Sequence, residues 1–115
     1  MPIEYRPRSW GSWVKLLEAG DYWIKILEVA PGQCLSCQRH TSRSEKWIIL
    51  EGTAWTLTDG YVTIHNKGEQ VTILEMEWHQ LCNKEEKILR VLEIAFRTGA
   101  HALSEEDIER KIFNE

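Results

Sequence analysis

No segment of this sequence is apolar over the length that a bilayer-crossing helix needs. The first residues, Met1-Pro2-Ile3-Glu4-Tyr5-Arg6, lack the hydrophobic stretch of a secretory signal. The lysines and arginines are scattered without runs, and the net charge is −4. Neither a nucleic-acid surface nor a basic amphipathic membrane helix fits that pattern. Repeats, linkers and low-complexity stretches are missing too, so the 115 residues read as one domain. Cysteine is sparse. Three residues cannot all pair within one chain, which suits a reducing compartment, and the cytoplasm is the expected location. Cys34-Leu35-Ser36-Cys37 is nominally a CxxC, but a redox pair of this kind sits at a helix start, where the dipole stabilises a thiolate. Here it falls in a predicted strand whose parity sends the two thiols to opposite faces, and Cys82 stands alone. All three are expected to be small apolar packing residues.

Helical patterning is scarce as well. Short β-rich segments follow one another between turns: Ser12–Leu17, Tyr22–Val29, Gln33–Gln38, Lys46–Leu50, Ala54–Thr58, Tyr61–His65, Gln70–Leu74, Gln80–Cys82 and Ile88–Phe96. Asp59-Gly60 is a two-residue hairpin signal, since both turn positions need positive φ. Closely spaced strands on a chain this short predict an all-β sandwich or small barrel. One helix is predicted, near the C-terminus. Ser104 can cap it, Asp107 follows three residues on, and Glu105, Glu106 and Asp107 suit its positive end. Ile108 and Ile112 would face the barrel.

Four residues have the chemistry of a metal site. Gln38 and His40 are two apart, so on a strand they leave the same face. Glu45 follows as a second apolar strand begins, and a short turn would bring its carboxylate back to face them. With His79 they supply one carboxylate, two imidazoles and an amide oxygen, a mixed shell for a divalent ion that leaves room for substrate. Parity puts Arg43 and Trp47 on the face of Glu45, with Lys46 turned to solvent. Arg43 could hold a phosphate or sugar oxygens by paired hydrogen bonds, or form a salt bridge with Glu45. Glu93 lies inside an apolar strand, as a proton carrier or as a paired structural carboxylate. His65 and His101 are expected at the surface. The six tryptophans are many for this length; Trp10, Trp13, Trp23 and Trp55 are expected to cover sheet surface in a homodimer.

Pro31-Gly32-Gln33, Leu35-Ser36, Gln38, His40, Arg43-Ser44-Glu45, Trp47 and Glu51-Gly52-Thr53-Ala54 resemble the first cupin motif of the type II mannose-6-phosphate isomerases. The resemblance extends upstream to Trp10-Gly11-Ser12 and Tyr22, and downstream to His79, Asn83, Leu92-Glu93-Ile94 and Glu105-Glu106-Asp107-Ile108 with Arg110. Members of that family follow a sugar-nucleotide pyrophosphorylase domain or occur as short free-standing proteins. The resemblance implies a double-stranded β-helix (jelly-roll) cupin barrel binding one divalent ion per chain, such as Zn, Mn, Fe, Co or Ni. It also implies metal-assisted aldose–ketose isomerisation of a phosphorylated sugar in polysaccharide-precursor metabolism, with Arg43 and Glu93 as catalytic candidates. Leu74 and Met76 stand where the family's second motif usually carries Pro and Gly. The sequence closes at Phe113-Asn114-Glu115, where longer members continue to a Tyr-Gly-Arg, so activity on mannose 6-phosphate is expected to be weak or absent. Two other functions fit the same ligands: a non-haem Fe(II) oxygenase using His40, Glu45 and His79, and a non-catalytic metal- or sugar-binding cupin.

Overall fold

Alternation of inward and outward side chains builds the strands of this computed structural model, which describes residues 3–111. In Tyr22–Val29 the residues Trp23, Lys25, Leu27 and Val29 are buried, while Ile24, Ile26 and Glu28 face outward. The described elements are β1 Glu4–Arg8, β2 Gly11–Glu18, β3 Tyr22–Val29, β4 Gln38–Arg39, β5 Arg43–Glu51, β6 Ala54–Thr58, β7 Tyr61–His65, β8 Gln70–Ile73, β9 His79–Cys82, β10 Leu89–Arg97 and β11 Glu109–Arg110. They form a six-stranded sheet in the order β1-β2-β3-β10-β5-β8, and a five-stranded one in the order β11-β4-β9-β6-β7. All pairings are antiparallel. Trp13, Leu27, Val29, Trp47, Ile49, Leu81, Leu89 and Val91 belong to the core they enclose.

Register across the larger sheet determines which polar residues meet inside the barrel. One inward row runs Lys15, Lys25, Glu93, Trp47 and Val71 through β2, β3, β10, β5 and β8. The next runs Trp23, Ala95, Glu45 and Ile73. The outer face of this sheet carries Val14, Ile26, Leu92 and Ile48 in one row, with Ile24 and Ile94 beside them. Among the described residues, no helix is long and apolar enough to cross a membrane.

Asp59 and Gly60 take positive φ of 45° and 88°, as their hairpin requires. Four expectations need correction. Residues 104–108 form a turn instead of the predicted helix: Ser104 Oγ does accept from the Glu106 backbone, but the Asp107 carboxylate accepts from Thr41 N, Thr41 Oγ and Ser42 N. Arg110 then pairs with Gln38 in β11. A helix this short has little stability of its own, so these tertiary bonds prevail; Ile112 lies outside the described residues. Cys34 and Cys82 are not separate packing residues but form a disulfide, because the two segments are cross-strand neighbours with Cα atoms 4.0 Å apart. Only Cys37 remains a buried thiol. The expected strand Gln33–Gln38 shrinks to a bridge at Cys34 and the short β4. Trp13 and Trp23 are buried inside the barrel, and so are not free to cover a dimer surface.

Candidate metal centre

His40 sits between β4 and β5, Glu45 lies on β5, and His79 begins β9. All three are buried, and their ligand atoms lie within 4.8 Å of one another. The hydrogen bonds fix which ring nitrogen faces the cluster. His40 Nδ1 donates to the Asp107 carbonyl at 2.6 Å, and His79 Nδ1 donates to the Glu77 carbonyl at 2.9 Å. A carbonyl can only accept, so each Nδ1 carries the proton and each Nε2 presents a lone pair. His40 Nε2 is 3.2 Å from Glu45 Oε2. Two acceptor atoms this close need a cation beside them, and the Arg43 guanidinium takes that place, 3.0 Å from Glu45 Oε2 and 3.2 Å from His40 Nε2. A backbone carbonyl orienting the far nitrogen of each imidazole is the usual arrangement around a bound metal.

Charge balance at the three groups agrees. Burial opposes a charge on Glu45, but the Arg43 guanidinium at 3.0 Å outweighs it, holding the carboxyl well below the usual carboxylate range. His79 is pushed down, mainly by burial and further by His40 and Arg43, so the ring stays neutral and able to ligate. Glu45 is also fixed from its other side, where Trp47 Nε1 donates to Oε1 at 3.0 Å. A cavity of about 20 Å³ adjoins the centre, lined by Gln38, Glu45, Trp47, His79 and Glu93 among others. That volume holds one small occupant. Donor set, tautomers and cavity size together fit a single divalent ion.

Gln38 is the cross-strand partner of His79, which brings it to the same small cavity. Its amide nitrogen donates to Ser36, leaving Oε1 as the atom it can offer an ion. Arg43 takes the salt-bridge role. Its Nε donates to Glu45 at 3.0 Å, Nη2 reaches His40 Nε2 at 3.2 Å, and Nη1 donates to the Ser104 carbonyl at 3.0 Å. Glu93 lies one strand away, held by Trp23 Nε1 at 3.1 Å. Burial and the neighbouring Glu45 charge push its carboxyl up to about 7, against Lys25, Arg43 and the Trp23 bond. Gln38 and Glu93 also line a second, open cavity of about 520 Å³, together with Trp10, Trp13, Lys25 and Arg43. His101 is exposed and His65 bonds Thr63, both away from the site.

A family model described as "Mannose-6-phosphate isomerase C-terminal" matches residues 3–112. The chain belongs to that family. It is 37% identical over 103 residues to a mannose-1-phosphate guanylyltransferase of Sinorhizobium fredii, covering 90% of this chain and 20% of that protein. It is 36% identical over 106 residues to the alginate biosynthesis protein AlgA of Pseudomonas syringae, covering 92% of this chain and 21% of that one. This member of the family therefore spans about a fifth of the length of those relatives. Among solved structures, a cupin-2 domain of Rhodospirillum rubrum superposes with a TM-score of 0.74 at 18% identity, covering 91% of this chain and 78% of the other. A sugar phosphate isomerase of the cupin superfamily from Silicibacter pomeroyi gives 0.73 at 16%, covering 95% and 88%. These likenesses establish the double-stranded β-helix fold.

Sequence reasoning missed Asp107, Lys15 and Lys25. Asp107 stood inside a predicted helix. Its carboxyl is now held low, since the Thr41 and Ser42 bonds and the His40 charge overcome the effect of burial. The lysines had a readable signal: in Trp13-Val14-Lys15 and Trp23-Ile24-Lys25 each shares the inward parity of a tryptophan.

Proposed function

We propose that this chain isomerises a phosphorylated aldose to its ketose, with mannose 6-phosphate as the substrate suggested by family membership. One divalent ion on His40, Glu45, His79 and Gln38 would supply Lewis-acid polarisation of the oxygens on the two reacting carbons. Glu93 removes the proton from C2 and returns it to C1 while the hydroxyl proton on O2 passes to O1, so the carbonyl moves from C1 to C2 and no net proton is consumed. The observation that carries this reading is the position of Glu93. It lines both the small cavity at the triad and the large one open to substrate, and its raised pKa near 7 lets it accept and release a proton at neutral pH. Arg43, committed to Glu45 and His40, acts as a positioning residue that keeps the carboxylate in place when no ion is bound.

We place the reaction in polysaccharide-precursor metabolism, a setting suggested by the names of the guanylyltransferase and alginate relatives; the Cys34–Cys82 disulfide removes the cysteine argument for a reducing compartment. The protein would act as a homodimer through the apolar outer face of its larger sheet, where Val14, Ile24, Ile26, Ile48, Leu92 and Ile94 lie together; a monomer mass by light scattering would exclude that assembly. The test of function couples fructose 6-phosphate formation to a dehydrogenase, with metal-stripped protein reloaded by Zn, Mn, Fe, Co or Ni in turn. Turnover that returns with metal and falls by about 10²- to 10⁴-fold in Glu93→Gln supports the proposal. Bound metal without turnover would make the domain a binding module. Iron-dependent oxygen consumption would instead identify the two-histidine, one-carboxylate set as an oxygenase centre.

A further inference from the structure

Lys15 and Lys25 point into the barrel, with side chains only 6% exposed, yet the residue that neutralises them both is 40% exposed. Glu105 bridges them, one carboxylate oxygen 2.8 Å from Lys15 Nζ and the other 2.7 Å from Lys25 Nζ. A third cation is close by. Lys15, Lys25 and Arg43 lie 4.4, 4.7 and 4.8 Å from the centroid of the Trp23 ring. Lys25 also lies 4.0 Å from the Trp13 centroid. Lys15 has further acids at its outer side, Glu18 at 3.4 Å and Glu4 at 3.9 Å. Arg43 is balanced by Glu45. Among the described residues, Glu105 is the carboxylate within salt-bridge distance of Lys25.

We propose that Lys25, with Lys15 behind it, is the seat of a phosphoryl group, and that the Glu105 carboxylate is an internal occupant which the phosphoryl displaces. Two oxygens on two ammonium groups is the geometry a phosphate adopts between lysines. Lys25 and Glu105 both line the open cavity that Glu93 also borders, and Lys25 is the direct cross-strand partner of Glu93. Lys25 stands two strands from Trp47, about 9–10 Å across the sheet. Arg43, which contacts Glu45 and His40, lies over the same Trp23 ring as Lys25, so a phosphate at β3 and reacting carbons at the metal residues would lie within the reach of one open-chain six-carbon phosphate. Glu105 belongs to the irregular segment between β10 and β11, not to the sheet, so it can leave without breaking strand pairing. Displacing it exchanges one carboxylate for a more highly charged anion over cations that are already in place.

The inference rests on the proposed sugar-phosphate chemistry but is tested apart from it, by binding of inorganic phosphate to metal-stripped protein. Titration calorimetry at matched ionic strength should show phosphate binding that Glu105→Gln tightens several-fold, because a competing charge is removed and the side chain keeps its shape. Lys25→Met should weaken it about tenfold or more, as the loss of a charge-assisted hydrogen bond does. Phosphate that does not bind, or binds equally or less well to Glu105→Gln, overturns the seat, and that variant decides the matter even where Lys25→Met does not fold. Turnover that persists without such binding removes this inference alone. A working seat in a protein without turnover removes only the isomerase reading.

Discussion

Replacing Glu93 by glutamine should make the metal-stripped protein more stable at alkaline pH, while abolishing most of its activity. Glu93 is buried and its carboxyl is pushed up to about 7, from its ordinary value of 4.5. Below pH 4.5 the folded and unfolded chains both carry the proton, so the group costs nothing. Between 4.5 and about 7 the unfolded chain releases it while the folded one keeps it, so stability falls as pH rises through this window. Above the window both are ionised and the full penalty applies, on the order of 3 kcal/mol at 1.36 kcal/mol per unit. Glutamine keeps an oxygen for Trp23 Nε1 and never ionises. Thermal unfolding at pH 8.5 should place the variant roughly 10 °C above the parent. At pH 4.5 the two should melt together. Equal melting curves at both pH values would refute the account of Glu93, because they would mean its carboxyl titrates as it does in water.

His79→Ala should reduce bound metal, measured by elemental analysis of undialysed protein, to a small fraction of the parent's near-stoichiometric value; an unchanged ratio would remove His79 from the site. Cys34→Ser should lower stability by about 4 kcal/mol at most, the loop-closure entropy for a separation of 48 residues, and chemical denaturation in the presence and absence of reductant checks it. Met76 holds a positive φ of 64°, a conformation that costs a non-glycine residue about 1–2 kcal/mol. Met76→Gly should therefore be neutral to stabilising despite glycine's greater freedom when unfolded, and a loss above about 1 kcal/mol in urea unfolding would contradict that.

Much of the barrel was legible because its signals are local. Ala54–Thr58 and Tyr61–His65 match β6 and β7 end to end, since Asp59-Gly60 fixes the turn and with it the register. The parity of Arg43, Glu45 and Trp47 was also readable: all three are buried on one face of β5, with Lys46 exposed between them. What escaped depends on contacts between distant segments. The capping pattern at Ser104 and Asp107 is real, yet Asp107 serves Thr41 and Ser42, which no sequence window around residue 107 contains. The Cys34–Cys82 bond likewise follows from a cross-strand pairing 48 residues apart. Met76 shows the reverse case. Its place in a motif position that usually holds glycine was visible, and the backbone there retains the left-handed turn without it.

On the proposed reading, His40, Glu45, His79 and Gln38 together hold one divalent ion. Anomalous scattering from crystals of metal-loaded protein tests it most directly. A single peak per chain should lie about 2.0–2.2 Å from His40 Nε2, His79 Nε2 and a Glu45 oxygen, with the Gln38 oxygen turned toward it. A peak placed on surface acids, or no peak at the three buried groups in fully loaded protein, would contradict the claim.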